Sequence, residues 1–158
     1  MADIRTEKKI DNDHVISVLE KLIETCRDGQ EGYRDAAEHV KDPELRKFFN
    51  EVSTTRADFA GQLENEVIRL GKHDPDRKGS ATGGLHRKWI DLKAAMGGGD
   101  HSILSSVESG EDNAKKQYEE ALNDNLPQDI KELLRQQSQS VIAAHDKVKM
   151  LRDRSKAA

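Results

Sequence analysis

The chain has 158 residues, enough for one compact domain. Only 34% are hydrophobic against 35% charged, and aromatics make up 4%. So small an apolar set builds a core only when it is gathered on narrow stripes, as in long amphipathic helices. The net charge of −4 argues against nucleic acid as a partner, because phosphate binding needs a positive surface. Cys26 is the only cysteine, which excludes an intrachain disulfide and points to a reducing cytoplasm. No stretch approaches the roughly 20 apolar residues of a membrane span. The N-terminal run lacks an apolar signal core.

Residues 1–10 read as a polar leader, followed by a single domain over 11–154. A first helix is predicted from Asp13 to Val40, with Val15, Leu19, Leu22, Cys26, Tyr33, Ala36 and Val40 on one stripe. Asp42 is a suitable N-cap and Pro43 a suitable first residue for a second helix, so the first connection is tight. That helix runs to about Leu70, with Leu45, Phe48, Val52, Phe59, Leu63, Val67 and Leu70 as its stripe. Gly71 is placed to end it.

The pattern then breaks. Pro75, Gly79, Gly83 and Gly84 mark a loop. Leu85, Trp89, Leu92 and Met96 mark a short amphipathic helix that ends in Gly97-Gly98-Gly99, with Asp100 as the expected cap of the next helix. This third helix is predicted from His101 to about Asn123, carrying Ile103, Leu104, Val107, Ala114, Tyr118, Ala121 and Leu122. Asp124 to Pro127 turn into a fourth, carrying Ile130, Leu134, Val141, Ala144, Val148 and Leu151.

Short outer links and one long middle link predict two antiparallel hairpins joined by a crossover, with the second and third helices parallel. This is an all-α, ferritin-like four-helix bundle. The competing topology is an up-down-up-down bundle with a decorated loop. The crossover carries its own apolar face, so Leu85, Trp89, Leu92 and Met96 are candidates for packing on the bundle or for a dimer interface.

Di-iron bundles of this kind take one Glu from each of two helices and a Glu-x-x-His from each of the other two, since i and i+3 share a face. None of the six histidines has a Glu three residues before it; Asp11-x-x-His14 comes nearest. The polar residues that fall on the inner stripes are Gln30, Arg56, Glu66, Glu111, Gln137 and His145, with Glu108 at the edge. Arg56 and Glu111 should meet near mid-bundle as a buried ion pair, with Gln30 and Gln137 nearby, since buried charges are usually paired. The alternative is an iron or manganese site on Glu111, Glu108, His145 and Glu66. His145 is expected nearer the end that holds the first turn, more than one helical turn from Glu111.

The runs Asp28-Gly29-Gln30-Glu31-Gly32-Tyr33-Arg34-Asp35-Ala36-Ala37-Glu38 and Asp42-Pro43-Glu44-Leu45 carry a resemblance. So do Leu85-His86-Arg87-Lys88-Trp89, Gly110-Glu111-Asp112, Tyr118-Glu119-Glu120-Ala121-Leu122 and Ala144-His145-Asp146. Together they resemble a bacterial ferritin-like group, domain of unknown function 2383, over residues 12–153. The resemblance implies the bundle fold and no established activity. Relatives in the wider superfamily handle iron or peroxide at Glu-x-x-His ligands that have no counterpart here. The expected protein is therefore a non-catalytic helical module without a cofactor, associated with stress by analogy, acting as a homodimer or on a protein partner. A metal-dependent oxidase or iron-handling protein with an unusual ligand set is the alternative.

Overall fold

The computed structural model describes residues 11–72 and 96–157. Among these residues there is no strand. Four helices carry the fold: α1 (Asn12–His39), α2 (Pro43–Arg69), α3 (Gly99–Leu122) and α4 (Gln128–Ala157). A short 3₁₀ turn, Met96–Gly98, leads into α3. The polar leader and the side chains of Leu85, Trp89, Leu92 and Met96 lie outside the described residues.

Local chemistry sets the helix ends. The Asp11 carboxylate accepts from the Asp13 N–H at 3.0 Å and caps α1. Arg46 reaches back from α2 to the carbonyls that end α1, donating to Ala37 and Val40. Asp42 caps α2 through the Glu44 N–H at 2.9 Å, and Pro43 is its first residue. At the far end Gly71 takes φ +112°, which lets Gly71 and Lys72 donate to the carbonyls of Ile68 and Val67 and close the helix. Asp100 does not cap α3. It sits inside the first turn, and its two oxygens accept the backbone N–H groups of Lys41 and Asp42 at 2.8 and 3.1 Å.

Contacts at the two ends fix the helix directions. Asp100 at the start of α3 meets the α1–α2 turn, and His101 meets Arg152 and Ser155 near the end of α4. At the opposite end His14 of α1 meets Asp124 just after α3, and Arg69 of α2 meets Asp129 of α4. So α2 and α3 run the same way, and each lies antiparallel to the partner in its own hairpin. This excludes the up-down-up-down order. Lys72 and Met96 are at opposite ends of a bundle whose helices, such as the 27-residue α2, span about 40 Å.

The apolar core is in two parts. One half gathers Leu19, Leu22, Ile23, Leu63, Val67, Tyr118, Ile130 and Leu134, among others. The other gathers Tyr33, Ala36, Leu45, Phe49, Ile103, Leu104, Val107 and Val148. In α2 the fully buried aromatic is Phe49, not Phe48, which is only partly buried along with Val52, Phe59 and Leu70. The inner face of α2 is thus Leu45, Phe49, Ser53, Arg56, Ala60, Leu63 and Val67. Two adjacent phenylalanines left the choice of stripe ambiguous by one residue.

Candidate functional site

Arg56 lies on the inner face of α2 and is 1% exposed; Glu111, on α3, is 0% exposed. The guanidinium donates Nη1 to Glu111 Oε1 at 2.7 Å and Nη2 to Oε2, a two-pronged ion pair. Planar guanidinium and planar carboxylate match in this way, which makes such pairs stronger and more directional than a lysine contact. Burial works against the Arg56 charge, but the charge and hydrogen bonds of Glu111 outweigh it and hold the guanidinium above its usual range.

α1 shapes the recess for the cation. Gly29 is buried, and a Cβ there would lie 3.0 Å from Arg56 Nη1. The Tyr33 ring faces the guanidinium at 5.4 Å, a cation–π distance. Burial first, then the Glu111 charge, keep the Tyr33 phenol protonated well above its usual range.

A second set of polar groups completes the layer. Tyr118 donates its hydroxyl proton to Gln137 Oε1 at 2.8 Å. Its oxygen lies 3.1 Å from Cys26 Sγ, which leaves the thiol as the donor of that contact. The Gln137 amide donates to Gln62 Oε1 at 2.9 Å and to the Phe59 carbonyl at 3.4 Å. Burial pushes the Cys26 thiol up to about 11, against the pull of the Arg56 and Arg27 charges. At that value it is a packed, protonated thiol rather than a nucleophile. The layer therefore takes groups from all four helices, with the Arg56–Glu111 pair between the two apolar halves.

The other polar residues expected inside are dispersed. Gln30 is only half-buried and accepts from Arg27 at 3.0 Å, outside the Arg56–Glu111 contact. Its inward neighbours Gly29 and Asp28 hold the buried positions instead. Glu66 pairs with Arg69 on a partly exposed surface near the end of α2. Glu108 is buried against Arg152. His145 is 7% exposed, and its two ring nitrogens meet Asp112 at 2.6 Å and Asp146 at 3.0 Å. It is therefore level with Asp112, the residue after Glu111, and not displaced toward the first turn.

Three further polar groups were invisible to the stripe pattern. Asp28 is buried at the edge of the α1 face, Glu64 is held by Arg27 at 3.0 Å, and Asp112 finds His145 across two helices. The last two contacts cross between helices, which no periodicity within one helix can signal.

These residues do not fit a metal pair. Both Glu111 oxygens are engaged by Arg56, and Glu108, Glu66 and His145 each answer to a different partner. Among the described residues, no group of three or more His, Cys, Asp or Glu side chains converges so as to hold an ion. No helix there is long and apolar enough to cross a membrane.

The family model "Domain of unknown function (DUF2383)" matches residues 14–124. The chain belongs to the DUF2383 family. The DUF2383 match spans α1 to the end of α3 and stops before α4. Gln137, His145 and Arg152, and with them the Ala144-His145-Asp146 run, lie beyond it. No curated protein matches the chain significantly.

Proposed function

We propose that this protein is a non-catalytic helical module of ferritin-like arrangement, working through self-association or a protein partner. Arg56 supports this reading most directly. In a metal-carrying bundle the inward carboxylates at mid-height are metal ligands. Here the one such carboxylate on α3 is saturated by a fixed cation that is itself shut off from solvent. A guanidinium cannot be deprotonated to make room for an ion, and its charge repels one. The setting we favour is a bacterial cytoplasm, with a stress-associated role as the analogy the bundle type offers.

The surface that would carry the interaction is the stripe of Leu85, Trp89, Leu92 and Met96, an apolar face at helical spacing in the sequence. Two measurements test the proposal together. Elemental analysis of protein purified without chelators should give iron and manganese far below one per chain. A stoichiometric metal pair that is lost in Glu111→Ala would overturn the non-catalytic reading. Sedimentation velocity across a concentration series should show an assembly that Trp89→Asp with Leu92→Asp weakens. Identical sedimentation of both proteins at every concentration would remove the self-association arm and leave a different partner as the remaining one.

A further inference from the structure

We infer that the Arg56–Glu111 pair is a register key: it selects one alignment of the two hairpins from several that the apolar core alone would accept. α1 and α2 are joined across Val40–Asp42, and α3 and α4 across Asn123–Pro127, so neither hairpin can slide internally. The hairpins are joined to each other only by the long stretch between Leu70 and Met96. A slip of one heptad, about 10 Å along the axis, would therefore have to occur between the hairpins, and α2 and α3 are the helices on either side of that stretch.

The residue pattern would permit such a slip. Seven residues before and after Arg56 stand Phe49 and Leu63; seven before and after Glu111 stand Leu104 and Tyr118. All four are buried at 1% exposure or less. Because α2 and α3 are parallel, a one-heptad slip brings these large apolar groups to the level of the two charges. There it sets Arg56 against Leu104 or Tyr118, and Glu111 against Leu63 or Phe49. Both charges would then be buried without a partner, the most unfavourable arrangement for an ionic group.

The parts are divided between the hairpins in a way that suits a key. The cation is preset by the first hairpin alone, in the Gly29 recess and against the Tyr33 ring. The carboxylate is delivered by the second, beside the buried Gly110. Among the other contacts between the hairpins, the ion pairs His14 with Asp124 and Arg69 with Asp129 are solvent-exposed and so weak. The buried contact of Tyr118 with Cys26 and the part-buried one of Gln137 with Gln62 join uncharged groups, which cost less to leave unpaired than a charge does. A buried polar group that fixes register at some cost in stability is a known use of such residues.

The test uses the full chain with Arg56→Met and Glu111→Leu combined, which turns the two stripes into Phe-Met-Leu and Leu-Leu-Tyr. The wild-type amide spectrum should show one cross-peak per residue. The double variant should keep its helical circular dichroism yet show a second set of cross-peaks from α3 and α4. The charge swap Arg56→Glu with Glu111→Arg serves as the rescue and should give fewer doubled peaks than the apolar pair. A folded double variant with a single set of peaks would overturn the inference. So would a double variant that fails to fold, since the pair would then be holding the bundle up rather than choosing its register.

Discussion

At the residue scale the protein is governed by what is done with a few buried polar atoms. Removing one partner of the central pair is worse than removing both. Arg56→Met leaves Glu111 buried and unpaired, and should destabilise by about 3 to 5 kcal/mol. Adding Glu111→Leu should return much of that loss, read as the urea midpoint of the three proteins. Two neutral single variants would mean the pair has little energetic weight. Cys26 makes a separate, pH-dependent contribution. Its thiol is raised from 9.0 to about 11 on folding, first by burial. The folded state thus keeps a proton that the unfolded state releases. The associated stability is whole below about pH 9 and is lost as pH rises toward 11. Two units correspond to about 3 kcal/mol. Urea midpoints measured from pH 8 to 11 should fall more steeply for wild type than for Cys26→Ala. Parallel curves would assign the alkaline loss to Tyr33 and Tyr118, which are raised in the same direction.

At the element scale the ends of the helices do more than terminate them. Asp100 illustrates this. A residue after three glycines and before a helix reads as an N-cap, yet its oxygens serve the N–H groups of Lys41 and Asp42 in another hairpin. Asp100→Ala should therefore cost about 1 to 2 kcal/mol, in the range of a lost cap. Amide hydrogen exchange should quicken at Lys41 and Asp42 more than at the start of α3. Faster exchange confined to α3 would restore the capping role. The same example shows what a sequence makes legible. Helix order, the tight first turn at Asp42-Pro43 and the stop at Gly71 are local events, written in adjacent residues. Placing Arg56 and Glu111 on inner faces needs only the 3.6-residue period. Partners across helices are another matter. Nothing in α3 says that Asp112 will meet His145, and nothing in α1 says that Arg27 will take Glu64. The one-residue error between Phe48 and Phe49 has a similar origin, since two bulky apolar neighbours satisfy either stripe until facing helices choose one.

At the scale of the whole molecule, the unit that folds is larger than the segment shared with the family. The match ends at residue 124, before α4 begins. Yet α4 supplies Ile130, Leu134, Val141 and Val148, all fully buried, and the Gln137 that holds Tyr118. Burying four such aliphatic chains is worth about 6 to 12 kcal/mol. That is comparable with the whole stability of a typical domain, about 5 to 15 kcal/mol. Losing α4 would also open the α3 face that carries Glu108 and Tyr118 to water, with Arg152 and Gln137 gone from it. A chain ending at Leu126 should therefore not form a cooperative three-helix fold. It should show a broad thermal transition and bind a hydrophobic dye that the full chain excludes. A sharp transition and a dispersed amide spectrum from that shortened chain would mean that α1 to α3 are self-sufficient. In that case the polar layer would be completed by three helices, and Gln137 would be an accessory to it rather than its fourth side.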